Sequence, residues 1–413
     1  MAGKSLQSIR GIHDGLPDEV KRFQRVEAAA RKIFARYACS EVRLPILEPT
    51  ELFKRSIGEA TDIVSKEMYN FEDQGGDNIC LRPEGTAGAV RAYLQGGLTR
   101  AGAQRWYYAG PMFRRERPQK GRLRQFQQIG VEWFGVSGPV EDAEVLAMAH
   151  AFLSELAITG LRLEVNSLGC KACRPAYRDT LVAYLESRRE QLCETCCDRI
   201  SNNPMRVLDC KVTSCQTALS DAPEMVAHLC DACETHFEGL KQGLDALHVP
   251  YVINARIVRG LDYYNRTAFE FVTDQLGAQG TVLAGGRYDG LVESLGGPAT
   301  PAIGFAAGVE RLSMLLADLD QSGIDVAVVA LGAEVLNYSL AQAAGLRDAG
   351  LSVVHCGGGA AKRQFRMADR ESARFVAVIG GDEMASSKIA LKEMASGEQQ
   401  LLTLAEVVQR LSA

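Results

Sequence analysis

Nowhere in the 413 residues does an apolar run approach the length of a membrane-spanning helix. No membrane association is expected. The opening stretch MAGKSLQSIRGIHDG has no apolar signal core, so the chain reads as cytoplasmic. An excess of positive charge is also missing. Lys and Arg number 46 against 51 Asp and Glu, a net charge of -5. A protein that coats nucleic acid regardless of sequence needs many uncommitted cations, and that class is excluded. Specific binding through a local basic patch is not. There is no G-x-x-x-x-G-K-[ST] phosphate loop, no internal repeat and no low-complexity tract.

Cysteine is not scarce. The chain has twelve, and in a chain this long without a signal sequence a disulfide framework is not expected. Eight of them fall in close pairs: Cys170 and Cys173, Cys193 and Cys196 (with Cys197 adjacent), Cys210 and Cys215, Cys230 and Cys233. Such spacing suits tetrahedral thiolate zinc sites, and a small domain with a modest core gains stability from structural Zn2+. Free thiols, buried or exposed, are the alternative.

The spacing of Val20, Phe23, Val26, Ala30, Ile33, Phe34 and Tyr37 predicts an amphipathic helix over 17–37, with Pro17 in its first turn. A short strand from Glu41 to Leu44, ended by Pro45, follows. Two strands, RWYYAGPMFRRE and QFQQIGVEWFG, flank a basic loop and predict an antiparallel hairpin over 105–135. The cysteine-rich stretch reads as a small inserted domain over 170–245. From Ile324 onward DVAVVAL, LSVVHC and RFVAVIG alternate with helical segments, predicting a small mixed or parallel sheet with helices outside.

Residues two apart on a strand share a face. Met112, Arg114 and Glu116 then lie together, as do Phe126, Gln128, Gly130, Glu132 and Phe134, with Gly130 expected to leave room between the polar groups. A solvent-exposed sheet face would alternate in the same way. LRPEGTAGAVRAY adds Glu84 and Thr86 at a Pro-Gly turn, or simply a helix start capped by Thr86. IVRGLDYYNRTAFEF offers Arg259, suited to bidentate anion contacts, with Tyr263 and Tyr264. LAGGRYDGLVESLGG has two adjacent glycines that suggest close approach of backbone to a ligand. IGFAAGVERLSMLL runs from glycines into a helix with Glu310 and Arg311.

In this order the segments resemble the class II aminoacyl-tRNA synthetases: Pro45 after a long helix is similar to their motif 1, FRRE with its loop and strand to motif 2, and GFAAGVER to motif 3. RPEGT, RGLDYYN and AGGRYDG resemble the signatures of the histidyl-tRNA synthetase family. That resemblance covers essentially the whole chain. It implies an α+β fold: a catalytic domain over 1–320 with a six- or seven-stranded antiparallel sheet, helices and the 170–245 insertion, then an α/β anticodon-binding domain over 324–413. It implies a homodimer that joins L-histidine to tRNA(His) with ATP and Mg2+. Arg114 and Arg259 would be catalytic on the α-phosphate and carboxylate, and Arg311 would hold ATP. Glu84, Thr86, Gln128, Glu132, Arg259, Tyr263 and Tyr264 would bind histidine. The loop from Arg115 to Arg124 would meet the acceptor end of tRNA, and Lys362, Arg363, Arg366 and Arg370 its anticodon. The resemblance calls for no zinc, and no metal ligand enters the site set. Two rivals remain: the histidine-binding regulatory subunit of ATP phosphoribosyltransferase, and a class II synthetase for proline or threonine. The full C-terminal segment with Arg114 and Arg259 argues against the first, GLDYY with Glu132 against the second.

Overall fold

A computed structural model describes residues 6–59, 61–119, 121–258, 263–277, 280–317 and 323–412. Two compact units divide the chain, 1–317 and 318–413.

The first unit opens with helix α1 (Pro17–Arg36), with Pro17 at its N-terminal end and Asp18 and Glu19 in its first turn, where acidic side chains complement the helix dipole. Strand β1 (Ser40–Glu41) is shorter than the expected Glu41-to-Leu44 strand. The carbonyls of Leu44 and Pro45 instead accept from the Arg82 guanidinium at 2.8 and 3.3 Å. β2 (Leu47–Pro49), helix α2 (Thr50–Ile57), β3 (Tyr69–Glu72) and β4 (Asn78–Leu81) follow, with the three strands forming a small antiparallel sheet. Helix α3 (Thr86–Gln95) leads to the hairpin of β5 (Gln104–Phe113) and β6 (Gln125–Phe134); the hairpin is as its sequence predicts, but its first strand stops at Phe113, so Arg114 and Glu116 lie beyond it in the loop. Helix α4 (Pro139–Glu155) and β7 (Arg162–Ser167) precede the cysteine-rich helices α5 (Arg174–Ser187), α6 (Glu194–Asn202), α7 (Thr213–Ala218) and α8 (Asp231–Ala246). The unit ends with β8 (Val252–Ile253), β9 (Asn265–Val272), β10 (Thr281–Arg287), α9 (Leu291–Ser294), β11 (Ala302–Gly308) and α10 (Val309–Ser313).

The main sheet runs β1-β5-β6-β11-β10-β9-β7-β8. It has eight strands rather than six or seven. Its six central strands pair antiparallel, and the two extra, two-residue strands at the edges pair parallel. Alternation on β6 divides its faces. Ile129, Val131 and Trp133 meet α1, α4, α8 and α10 through Phe34, Phe152, Leu240 and Leu312 in one core. Gln128, Gly130 and Glu132 point the other way, toward α3. The apolar stripe of α1, including Val26, Ile33 and Phe34, is therefore buried within its own chain.

The second unit carries a sheet in the order β13-β12-β14-β15-β16: β12 (Val326–Ala330), β13 (Val353–His355), β14 (Phe375–Ile379), β15 (Ile389–Glu393) and β16 (Gln399–Leu402). β12 pairs parallel with both neighbours, and the last two pairings are antiparallel. This is the expected mixed sheet. Its helices are α11 (Leu336–Asp348), α12 (Ala361–Arg370), α13 (Gly381–Ser386) and α14 (Leu404–Ser412). On α12, buried Gln364 bonds both the N–H and the carbonyl of Ala330 at 2.8 and 2.7 Å, fixing the helix to the sheet. Lys362, Arg363, Arg366 and Arg370 stay exposed.

Candidate active site

Glu132 sits at the centre of the site face with 1% of its surface exposed. Its Oε1 accepts from Thr86 Oγ1 at 2.7 Å and Tyr108 Oη at 3.1 Å, and Tyr288 Oη donates to Oε2. Burial pushes its carboxyl up to about 8, against the pull of these hydroxyl donors. Gly304 on β11 makes this position possible, because a Cβ there would lie 2.1 Å from Glu132 Oε2.

The turn before α3 carries Glu84, whose carboxylate accepts from the N–H groups of Thr86 and Ala87, both at 2.8 Å. Thr86 is the first residue of the helix rather than its cap. The cap is the Glu84 side chain, which satisfies two N–H groups that a helix start leaves open. Burial raises the Glu84 carboxyl, and the two N–H donors oppose that rise. The Pro-Gly turn is thus both a helix start and a means of setting Thr86 against Glu132.

The expectation that Gly130 leaves room is corrected. Tyr108 lies opposite it on β5, and its ring fills the space: a Cβ on Gly130 would stand 2.2 Å from it, and one on Gly85 2.3 Å. At the two glycines of AGGRYDG the close approach is by neighbouring parts of the chain. Gly285 accommodates the Gly304 carbonyl and Phe305, while Gly286 accommodates the Thr267 carbonyl and the Tyr264 ring. Tyr264 is buried, 4.6 Å from Tyr263 and 6.4 Å from Tyr288 between ring centres. Among the described residues two buried polar atoms lack a well-formed hydrogen bond here: Gln128 Oε1, and the Tyr263 hydroxyl close to Thr86, Glu84 and Glu132. Unpaired buried polar groups are uncommon and call for a partner.

Beside this cluster an open cleft of about 1160 Å³ is lined by Arg114, Phe126, Gln128, Glu310 and Arg311. Arg114 lies one residue beyond β5, its Nε donating to the Pro83 carbonyl at 2.8 Å and its guanidinium 5.4 Å from the Phe126 ring centre. Glu310 Oε1 accepts from Gln127 N at 2.7 Å, tying α10 to β6, and burial raises its carboxyl to about 7. Arg311 lies close to Gly121 of the hairpin loop. In the hairpin loop Arg122 pairs with Glu116 at 3.1 Å, and Arg124 N donates to the Gly11 carbonyl at 2.7 Å. The structure thus brings Glu84, Thr86, Glu132, Tyr263 and Tyr264 into one buried cluster, with Gln128 between it and the cleft that holds Arg114 and Arg311. Arg259 lies outside the described residues.

Sequence reasoning missed Tyr108, Tyr288 and a charged support behind the sheet. Arg287 and Asp142, both fully buried, form an ion pair. Asp142 also accepts from Thr267 Oγ1 at 2.5 Å and lies 2.8 Å from His236 Nε2. Burial alone would raise its carboxyl, but His236 and Arg287 hold it below the usual range. The pairs of cysteines converge as well. Cys170, Cys173, Cys230 and Cys233 form one group and Cys193, Cys196, Cys210 and Cys215 another, each able to hold a metal ion.

A family model described as histidyl-tRNA synthetase matches residues 11–312, and one described as an anticodon binding domain matches 325–413. The histidine–tRNA ligase of Anaeromyxobacter sp. strain K is 50% identical over 412 residues, covering 98% of this chain and 99% of that protein. That of Geobacter sulfurreducens is 49% identical, covering 98% of this chain and 100% of that protein. Among solved structures, apo Staphylococcus aureus histidyl-tRNA synthetase superposes with a TM-score of 0.82 at 35% identity, covering 99% of this chain and 100% of that one. A Bacillus halodurans structure described as an ATP phosphoribosyltransferase regulatory subunit/histidyl-tRNA synthetase shares the fold, with a TM-score of 0.67 at 20% identity, over 92% and 99% of the two chains.

Proposed function

The chain belongs to the histidyl-tRNA synthetase family, and from that premise we propose how its residues divide the work of joining histidine to tRNA. It is a histidine–tRNA ligase, an ATP-using enzyme of protein synthesis. The observation that carries the division of labour is a buried Gln128 Oε1 without a hydrogen-bond partner, close to the buried Tyr263 hydroxyl, together with a neighbouring cleft that bears Arg114 and Arg311. A small polar substrate satisfies Gln128, and a polyphosphate matches the arginines.

In this reading histidine lies over β6. Gln128, Thr86 and Glu84 take its amino group, and Glu132, Tyr263 and Tyr264 take its imidazole. Imidazole presents two ring nitrogens, and a site lined with buried polar groups rejects ligands that leave them unpaired. Arg114, oriented by the Pro83 carbonyl, holds the α-phosphate, with Arg259 assigned to the histidine carboxylate and the same phosphate. Arg311 lies against the adenine or the outer phosphate. The carboxylate attacks the α-phosphorus in line, forming the mixed anhydride as pyrophosphate leaves. No base is required, because the attacking carboxylate is already ionised. The fixed guanidiniums position two anions and offset their repulsion. Glu116 and Glu310 line the cleft and are carboxylates of the kind that would hold Mg2+, which neutralises pyrophosphate charge when bound. A ribose hydroxyl at the tRNA 3′ end then attacks the anhydride carbonyl and releases AMP. The basic hairpin loop from Arg115 to Arg124 serves the acceptor end, and α12 of the second unit serves the anticodon.

A cytoplasmic homodimer completes the reading. No helix among the described residues is long and apolar enough to cross a membrane. The stripe of α1 is covered internally, but one face of the small sheet is not. Leu47 and Phe71 are 49% and 45% exposed, with half-buried Ile79 and Leu81 in register beside them. An isologous two-fold contact would cover that face. The purified protein is expected to exchange pyrophosphate into ATP with histidine alone. Equal exchange with proline or threonine, or none with any amino acid, would remove the proposal.

A further inference from the structure

Nine cysteines lie between β7 and β8, and eight of them gather into two groups of four whose sulfurs all lie within 4.8 Å of one another. The other described cysteines do not gather. Cys39, Cys80 and Cys356 lie apart from both groups, and Cys197 Sγ turns to the carbonyls of Arg189 and Leu192. Packing of thiols as small apolar groups gives no reason for such sorting.

The sulfur separations give the second observation. Cys170 and Cys173 are 3.5 Å apart, Cys173 and Cys233 3.7 Å, and Cys230 lies 3.8 Å from both Cys170 and Cys173. Cys193 and Cys210 are 3.9 Å apart. A disulfide requires about 2.05 Å. Four zinc–sulfur bonds of about 2.3 Å at tetrahedral angles place sulfurs about 3.8 Å apart. The backbone is shaped for thiolates as well. Cys170 N donates to Cys173 Sγ at 3.1 Å, and Cys193 N to Cys215 Sγ at 3.1 Å. Gly169, at φ +62°, begins the first turn, and a Cβ there would lie 3.0 Å from Cys173 Sγ. In each group two sulfurs belong to buried residues and two to half-buried ones, so an ion could enter from solvent.

We propose that the chain binds two structural zinc ions, one on Cys170, Cys173, Cys230 and Cys233 and one on Cys193, Cys196, Cys210 and Cys215. Each Zn2+ replaces four thiol protons, which pass to solvent, and leaves a site of charge −2. Neither ion takes part in the reaction. The first ties the N-terminus of α5 to that of α8, so it joins the two ends of the segment between β7 and β8. It also bears on the histidine pocket, because Arg174, next to Cys173, donates to the carbonyls of Leu168 and Tyr264. The second fixes the stretch whose Asp198, Arg199, Arg206 and Lys211 line the cleft.

The test is metal analysis of the full chain purified without chelator, with X-ray absorption at the zinc edge. Two equivalents of zinc per chain are expected, with a shell of four sulfurs at about 2.3 Å. Cys233→Ser and Cys196→Ser should each lose one equivalent, whereas Cys197→Ser should keep both. If a serine variant fails to fold, cobalt(II) loading of the unaltered protein gives an independent reading, through sulfur-to-cobalt charge-transfer bands of tetrahedral four-sulfur sites. Less than about a tenth of an equivalent of zinc, a shell of nitrogen or oxygen, or disulfides mapped among the eight cysteines would each overturn the proposal.

Discussion

Among the individual residues, Arg114 and Glu132 do opposite kinds of work. Arg114 is half-buried at the cleft and held by one carbonyl and one ring. Arg114→Ala is therefore expected to slow adenylate formation roughly a hundred- to a thousand-fold with little change in melting temperature. Single-turnover adenylation near the normal rate in the folded variant would remove it from the mechanism. Glu132 is a buried acid that keeps its proton. Its ordinary value is 4.5, and in the fold it stands at about 8. Below that window both folded and unfolded chains hold the proton. Within it the unfolded chain releases a proton that the folded chain retains, so stability falls as pH rises from about 4.5 to about 8. Glu310, raised to about 7, adds to the same slope. Glu132→Gln should flatten the decline in melting temperature across this range by several degrees without abolishing it. Equal slopes in the two proteins would show that the carboxyl titrates normally.

The elements differ in how far their sequence discloses them. The hairpin is legible because its alternation is long and uninterrupted, and the same alternation places Gln128 and Glu132 on one face. What it hides is the partner strand. Once Phe113 is paired with Gln125, counting back along the register sets Tyr108 opposite Gly130, but the loop length that fixes this pairing is not evident from periodicity. The edge strands are illegible for another reason: two-residue strands carry no period, and the expected strand over 41–44 ends where the Leu44 and Pro45 carbonyls turn to Arg82, a residue distant in sequence. Arg287 and Asp142 are invisible to local patterning because their pairing joins β10 to α4. Gly285 and Gly286 advertise close approach, but sequence does not say of what. On α12 the disposition of charge is plain from sequence, and the exposed face agrees with it. Replacing Lys362, Arg363 and Arg366 together with Ala is expected to raise the KM for tRNA on the order of tenfold and to reduce its salt dependence. Histidine-dependent pyrophosphate exchange should not change. A parallel loss in both assays would place these cations outside tRNA recognition.

For the whole molecule, the proposed dimer rests on the outer face of the small sheet. Leu47→Asp combined with Phe71→Asp should shift sedimentation of micromolar protein from dimer to monomer. An unaltered protein that sediments only as monomer would dispose of the assembly. The family match was open to sequence because it rests on motif order along the chain, whereas the grouping of eight cysteines into two sets of four was not, since pairs can be combined in several ways.

Helix α8 has a mechanical consequence for the first unit. Its first turn carries Cys230 and Cys233 among the cysteine-rich helices, while Phe237, Leu240 and Leu244 farther along belong to the main core and His236 meets Asp142. One uninterrupted rod is thus rooted in both places, with no hinge between them. To swing the cysteine-rich segment away from the sheet, the molecule must bend that rod or draw three side chains out of the core, at about 1.5–3 kcal/mol each.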